Sequence, residues 1–151
     1  MQPVPEPIDP ARVPELALQA MRRAKYPMMA TVGADGQARV RPVSPVRTDG
    51  FTVWIASLRR YNKTAELEAD PRVELCYLDD QHDQVRITGK ALTVGPGEER
   101  TKIWEANPLL RSFLKTIDNP EFMLYRIEPA RVRYMKEWAL DYHEVPLDAE
   151  E

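Results

Sequence analysis

The sequence predicts a mainly β, α+β domain: a small antiparallel barrel of six strands with small helices flanking it. Three observations carry this expectation. The apolar pattern changes from helical spacing to alternation after Tyr26-Pro27 and keeps alternating through most of the chain. Asp35-Gly36 and Asp49-Gly50 supply turn signals between neighbouring strand-like runs. Most connections are too short for the crossovers that parallel strands need.

The elements follow in order. Residues 1–9 hold three prolines and no periodicity, and read as a loose tail. Asp9-Pro10 is a cap followed by proline at a first helical position. Leu16, Ala17, Ala20, Met21 and Ala24 then recur at helical spacing, and Arg22, Arg23 and Lys25 suit a helix C-terminus. Strand patterns cover 28–32, 38–46 and 51–57, which two short turns would join into a meander. Residues 62–69 read as a short helix capped by Asn62 and stopped by Asp70-Pro71. Strands follow at 72–78 and 84–94, around the polar loop 79–83. Gly95-Pro96-Gly97 breaks the sheet, helices read at 98–105 and 109–116, and the last strand covers 123–135 with an interruption at Pro129. The acidic C-terminus, 139–151, reads as a second irregular tail.

A chain of 151 residues makes one domain, 1–151, able to bury a core without staples. Apolar residues are 43% and charged residues 30%, a globular balance. Lys and Arg number 21 against 24 Asp and Glu, for a net charge of −3, which argues against a dedicated nucleic-acid partner. One cysteine and two histidines argue against a disulfide and against a zinc site, so no metal is expected. No apolar run is long enough to span a membrane and the first residues lack the pattern of a secretory leader; the expected compartment is the cytoplasm.

The chemistry concentrates in two stretches. In Ser57-Leu58-Arg59-Arg60-Tyr61-Asn62-Lys63-Thr64 a strand ends on a hydroxyl, a basic loop follows, and a helix begins at or near a lysine. A lysine in the first helical turn opposes the macrodipole unless an anion sits there, because free N–H groups and the dipole attract it. The segment therefore reads as a phosphate site made by Ser57, Lys63, backbone N–H groups and one arginine; a solvated basic loop is the bland alternative. In Arg39-Val40-Arg41-Pro42-Val43-Ser44-Pro45, two arginines share one strand face and two prolines remove ladder bonds, as in an edge or opened strand whose backbone is free to meet a ligand.

These residues, with Trp54-Ile55-Ala56-Ser57, Asp70-Pro71-Arg72-Val73, Gln84-Val85-Arg86-Ile87-Thr88-Gly89-Lys90-Ala91 and Tyr125-Arg126-Ile127-Glu128-Pro129, resemble the pyridoxamine 5′-phosphate oxidase-like family of FMN-binding split barrels, in its short general-stress-type members. The resemblance implies a six-stranded split barrel, a homodimer, and FMN at the dimer interface. It implies that Arg41 and Lys63 hold the FMN phosphate and that Pro42, Val43 and Ser44 run along the isoalloxazine. It places Ala56, Ser57 and Asn62 near the ribityl–phosphate and Gln84 at the ring system. Trp138 stands where relatives place an aromatic over the partner's flavin, with packing beneath the tail as its alternative. The chain carries Tyr61-Asn62-Lys63 where many members carry Ser-Arg-Lys, and it lacks the C-terminal arginine-and-histidine pattern of true pyridoxamine phosphate oxidases. The vitamin B6 reaction is therefore not expected.

What the resemblance implies is a flavin-dependent oxidoreductase acting on an unknown small molecule, with no obvious acid or base and no assigned catalytic side chain. The rival readings are a non-catalytic flavin-storage or stress-sensing protein and an F420-dependent reductase; some relatives bind haem. A nucleic-acid barrel using Arg39, Arg41, Arg59, Arg60 and Lys63 is the weakest reading. Trp54 and Trp104 are expected in core or interface packing, and Cys76 as a buried small hydrophobe.

Overall fold

A computed structural model describes residues 7–137, 139 and 141–147. Trp138 lies outside the described residues. The Asp9 carboxylate accepts from the Ala11 N–H at 3.0 Å and opens a 3-10 turn, Pro10–Arg12, which leads into α1, Val13–Ala24. Val13, Ala17, Ala20 and Met21 form its buried stripe. Strands β1, Met28–Val32, β2, Ala38–Pro42, β3, Arg47–Asp49, and β4, Thr52–Leu58, precede α2, Asn62–Ala69. Then come β5, Arg72–Leu78, β6, Gln84–Thr93, α3, Glu98–Ala106, α4, Pro108–Leu114, β7, Phe122–Met135, and β8, His143–Val145.

All eight strands join one antiparallel sheet in the order β2-β1-β5-β6-β7-β4-β3, with β8 added on β7. The β-rich class and the helix positions agree with the sequence, but the strand number is eight rather than six. The run 38–46 is not one strand. Pro42 and Pro45 lack ladder N–H groups, so β2 stops at Pro42 and pairing resumes only at Arg47. The meander also gives way: β2 pairs with β1, β3 with β4, and no ladder joins the first pair to the second. The eighth strand lies in the segment that reads as an irregular tail.

The sheet curls around one interior. Met29, Leu75, Ile87 and Val132 on one half of the sheet pack in the same cluster as Val53, Ile55, Tyr125 and Ile127 on the other, under α1. The outer face of β4 and β7 carries a second core, where Trp54, Leu58, Phe122 and Leu124 meet Ile103, Trp104 and Leu114 of α3 and α4. Trp54 also donates its indole N–H to Glu99 at 2.8 Å. Both tryptophans are thus packing residues, as expected. Cys76, by contrast, is only partly buried.

The polar loop between β5 and β6 is held by two buried carboxylates, Asp79 and Asp83. Asp79 accepts from the N–H groups of Gln81 and Asp83, each at 2.9 Å, and from Arg23 Nε of α1 at 2.8 Å. Asp83 accepts from the Tyr134 hydroxyl at 3.0 Å and the Glu137 N–H at 2.9 Å. The loop thereby ties α1 and the end of β7 to the residue that follows it, Gln84.

Burial holds the phenols of Tyr77 and Tyr134 well above the ordinary tyrosine value of 10.0, with the Asp83 hydrogen bond adding to the effect at Tyr134. The neutral phenol is the form the folded state keeps. Above pH about 10 the unfolded chain releases those protons while the folded chain retains them, so stability falls as pH rises. We expect the urea midpoint to drop steadily from pH 9 to pH 11, and substitution of Tyr77 by Phe to flatten that drop. An unchanged midpoint over this range would contradict the burial of these phenols.

Candidate functional site

The site is built on the start of α2. Tyr61, in extended backbone with φ −75° and ψ 148°, is the N-cap, so Asn62 is the first helical residue rather than the cap. No side chain caps this end and no acid sits in the first turn. The arrangement leaves the helix's positive end without its usual anionic complement. Lys63 lies in that same turn and is half-buried. Burial, then the nearby Arg41 charge, pull its pKa below the usual 10.5.

Arg41 comes from β2, beside Met29 of β1. Its guanidinium donates to Thr31 Oγ1 at 2.7 Å, to Glu66 Oε1 at 2.8 Å, and to the Met29 carbonyl at 3.3 Å. Thr31 itself donates to Glu66 at 2.8 Å. This closed triangle fixes Arg41 on the α2 side of the sheet. Thr31 and Glu66 were not singled out in the sequence. Glu66 stands three residues after Lys63 on the same helical face, which is the signal that finds it.

Ser57 is the second-last residue of β4 and is buried, with its hydroxyl 3.1 Å from Thr64 Oγ1. Thr64 donates to the Leu58 carbonyl at 2.7 Å, so the Ser57 hydroxyl donates to Thr64. Two hydroxyls thus pin β4 to the first turn of α2. The fold brings Arg41, Ser57, Asn62 and Lys63 to one place by pairing β1 with β2 and packing α2 against β1 and β4. Direct pairing of the second and third strands, the route the sequence suggested, is not how they meet. Ala56 and Ser57 line a small cleft of about 160 Å³ with Tyr61, Leu110 and Phe113.

The remaining positions are arranged differently. Pro42 ends β2 opposite Met28. Val43 turns its side chain into the core and donates its N–H to the Pro27 carbonyl at 3.0 Å, so that donor is already used. Ser44 is exposed. Gln84 opens β6 and accepts from the Tyr142 hydroxyl at 3.0 Å. Arg59 donates to the Pro120 carbonyl at 2.9 Å, and Arg39 is paired with Asp35 at 2.9 Å. Neither joins the α2 cluster through these contacts.

The donor set fits a phosphate monoester. Two cations repel each other at an uncapped helix start, and the Glu66 carboxylate is already shared between Arg41 and Thr31. Among the described residues no group of three or more His, Cys, Asp or Glu could hold a metal ion, and no helix is long and apolar enough to cross a membrane.

A sequence profile for pyridoxamine 5′-phosphate oxidase matches residues 14–136. None of the curated proteins matches the chain by sequence. Among solved structures, the chain is similar to a Clostridium acetobutylicum protein related to general stress protein 26 of B. subtilis, of the pyridoxinephosphate oxidase family. That likeness has a TM-score of 0.75 at 15% identity and covers 91% of this chain and 96% of that one. A pyridoxamine 5′-phosphate oxidase-related, FMN-binding protein from Nostoc punctiforme gives a TM-score of 0.63 at 16% identity, covering 85% of each chain. A heme binding protein from Mycobacterium smegmatis gives 0.73 at 17% identity, covering 94% of this chain and 59% of that one. At these identities the likeness is one of fold.

Proposed function

The chain belongs to the pyridoxamine 5′-phosphate oxidase family, and from that premise we propose that it binds FMN by its phosphate and acts as a flavin-dependent oxidoreductase on a small molecule. The observation that carries this reading is a pair of like charges at an uncapped helix start: Arg41, tied to Glu66 of α2 at 2.8 Å, and Lys63 of that helix's first turn. Such a pair is unfavourable alone and favourable around a dianion. Lys63, Arg41 and the first-turn N–H groups of α2 would hold the phosphate. The segment from Pro42 to Ser44 and Gln84 would meet the ring, and Ser57 would keep β4 and α2 in register beneath it. Bound FMN would supply hydride-transfer chemistry, leaving the chain to grip and orient.

The same reading makes the protein a homodimer with the cofactor at the interface. Val40, Met28 and Leu78 support it: they are exposed apolar residues on the outer side of β2, β1 and β5. The expected compartment is the cytoplasm.

The test is an absorbance spectrum of freshly purified protein, repeated after addition of excess FMN and desalting. Flavin bands that remain with the protein are the expected result. Loss of all flavin on desalting, with F420 retained in a parallel sample, would replace FMN by the deazaflavin; retention of neither would overturn the reading. If FMN stays, oxidation of reduced nicotinamide by the loaded protein separates a catalyst from a flavin store.

A further inference from the structure

A single register row crosses the outer face of the sheet: Pro42 opposite Met28, Met28 opposite Cys76, Cys76 opposite Arg86, and Arg86 opposite Arg133. Directly opposed residues share a face, so this row begins in the proposed ring segment, sets two guanidiniums face to face, and ends on Glu144 of β8. Gln84 lies two residues before Arg86 on the same face. Like charges directly opposed across a ladder are destabilising, and the neighbourhood only partly compensates them. Glu74 accepts from Arg86 Nε at 3.0 Å and Nη2 at 2.7 Å, and it also accepts from Thr88. Arg133 reaches the same carboxylate only at 3.4 Å. Glu144, opposite Arg133, is paired with Arg131 instead. The Nε of Arg133 is buried and has no hydrogen-bond partner among the described residues.

Over this pair lies Tyr142. Its ring centroid is 5.2 Å from the Arg133 guanidinium carbon and 5.7 Å from that of Arg86, while its hydroxyl donates to Gln84. The aromatic roof, the under-neutralised arginine and the proposed ring-contacting glutamine are therefore one connected unit.

We propose that Arg133 and Arg86, beneath Tyr142 and beside Gln84, form the subsite for an anionic substrate, a small planar molecule bearing a conjugated carboxylate. This rests on the flavin reading, in which Gln84 touches the ring. A guanidinium fork matches a carboxylate in plane, and the side chains of Arg133 and Arg86 are 19% and 34% exposed, so a ligand can reach part of each. The flat face of Tyr142 selects a flat partner. A neutral isostere leaves the surplus charge uncompensated and gains little.

The test titrates the FMN-loaded protein with benzoate and, separately, with benzamide, following the arginine Nε–H resonances by NMR. Benzoate is expected to shift the Arg133 signal and to bind at least tenfold tighter than benzamide. Arg133→Gln is expected to abolish that preference, Arg133→Lys to retain part of it, and Tyr142→Leu to weaken benzoate without removing the preference for charge. Equal binding of the two probes, or a benzoate preference untouched in Arg133→Gln, would overturn the proposal. Should Arg133→Gln fail to fold, the probe pair and the lysine variant decide. Retained flavin with no preference for charge would sink the subsite alone. No retained flavin, with benzoate still shifting Arg133 in the flavin-free protein, would sink the cofactor reading and leave the anion site standing.

Discussion

Changing both Arg41 and Lys63 to alanine is expected to weaken FMN binding by about a hundredfold or more. Each hydrogen bond to a charged group contributes roughly 1.5–3 kcal/mol, and about 1.4 kcal/mol is a factor of ten. Two such contacts place the loss between about 10² and 10⁴. The lower end is favoured because Arg41 already shares its charge with Glu66, so part of its donor capacity is committed before any phosphate arrives. Arg41→Ala also leaves Glu66 with Thr31 as its remaining partner from that triangle, so this variant loses stability as well as affinity. Lys63→Ala removes a half-buried cation and relieves its repulsion with Arg41, so alone it leaves the fold unharmed. Fluorescence titration of FMN at two salt concentrations, with a thermal midpoint for each variant, separates the two effects. A double variant that stays folded and binds FMN within threefold of the parent would remove the phosphate from this site. The pH dependence follows from the same pair. Lys63 holds the phosphate only while protonated, and its pKa lies below 10.5 before an anion enters. Binding therefore weakens as pH rises toward that value, and Lys63→Ala loses this part of the pH dependence.

The phosphate end of the site was legible because it depends on local chemistry. A lysine in the first turn of a helix that follows a strand-terminal hydroxyl is a conflict visible in seven residues, Ser57 to Lys63. Its partners were less visible. Thr31 and Glu66 meet Arg41 only because β1 pairs with β2 and α2 lies across β1, and pairing of distant segments is not written in any local period. The same holds for the outer arginines. Arg86 and Arg133 lie 47 positions apart in the chain, and only the β6–β7 register sets them face to face.

The strand count failed for a different reason. The two additional strands lie where no alternation is read: β3, Arg47–Asp49, falls on the Asp49-Gly50 turn signal, and β8, His143–Val145, lies in the acidic tail. The 38–46 pattern also overruns β2, because Pro42 and Pro45 lack the N–H a ladder requires. In β7 the sequence carries a readable signal of irregularity. Val132 and Tyr134 face the interior at even positions, while Tyr125 and Ile127 face it at odd positions. Alternation cannot change parity without an extra residue, so the strand must bulge between them. Pro129 alone marks an interruption, and the change of phase around it states the bulge outright.

Gly89 is the residue across that bulge, and Gly89→Ala is expected to destabilise the protein by about 3 kcal/mol or more. Forced overpacking costs roughly 1–3 kcal/mol where side chains can shift. Here the obstacle is backbone: a Cβ on Gly89 would lie 2.2 Å from the Glu128 carbonyl oxygen and 3.1 Å from its carbonyl carbon. No rotamer change relieves that contact, so β6 and β7 must part or the bulge must migrate. At roughly 2–4 °C per kcal/mol for a chain of this size, the thermal midpoint falls by about 6–12 °C. Gly95→Ala is the matched control, since a Cβ there meets nothing within 4 Å and its φ needs no glycine; its midpoint should move little. Equal effects of the two substitutions would mean that the close approach at the bulge is not what Gly89 provides. The consequence extends past stability. The register shift between Thr88 and Gly89 is what lets Ile127 and Val132 both face the core while Arg133 stays opposite Arg86 and Met135 opposite Gln84. Losing the bulge altogether would slip one end of the β6–β7 ladder by one residue and turn Arg133 away from the outer face, so a Gly89→Ala protein that folds without the bulge is expected to lose its preference for benzoate over benzamide together with its thermal stability.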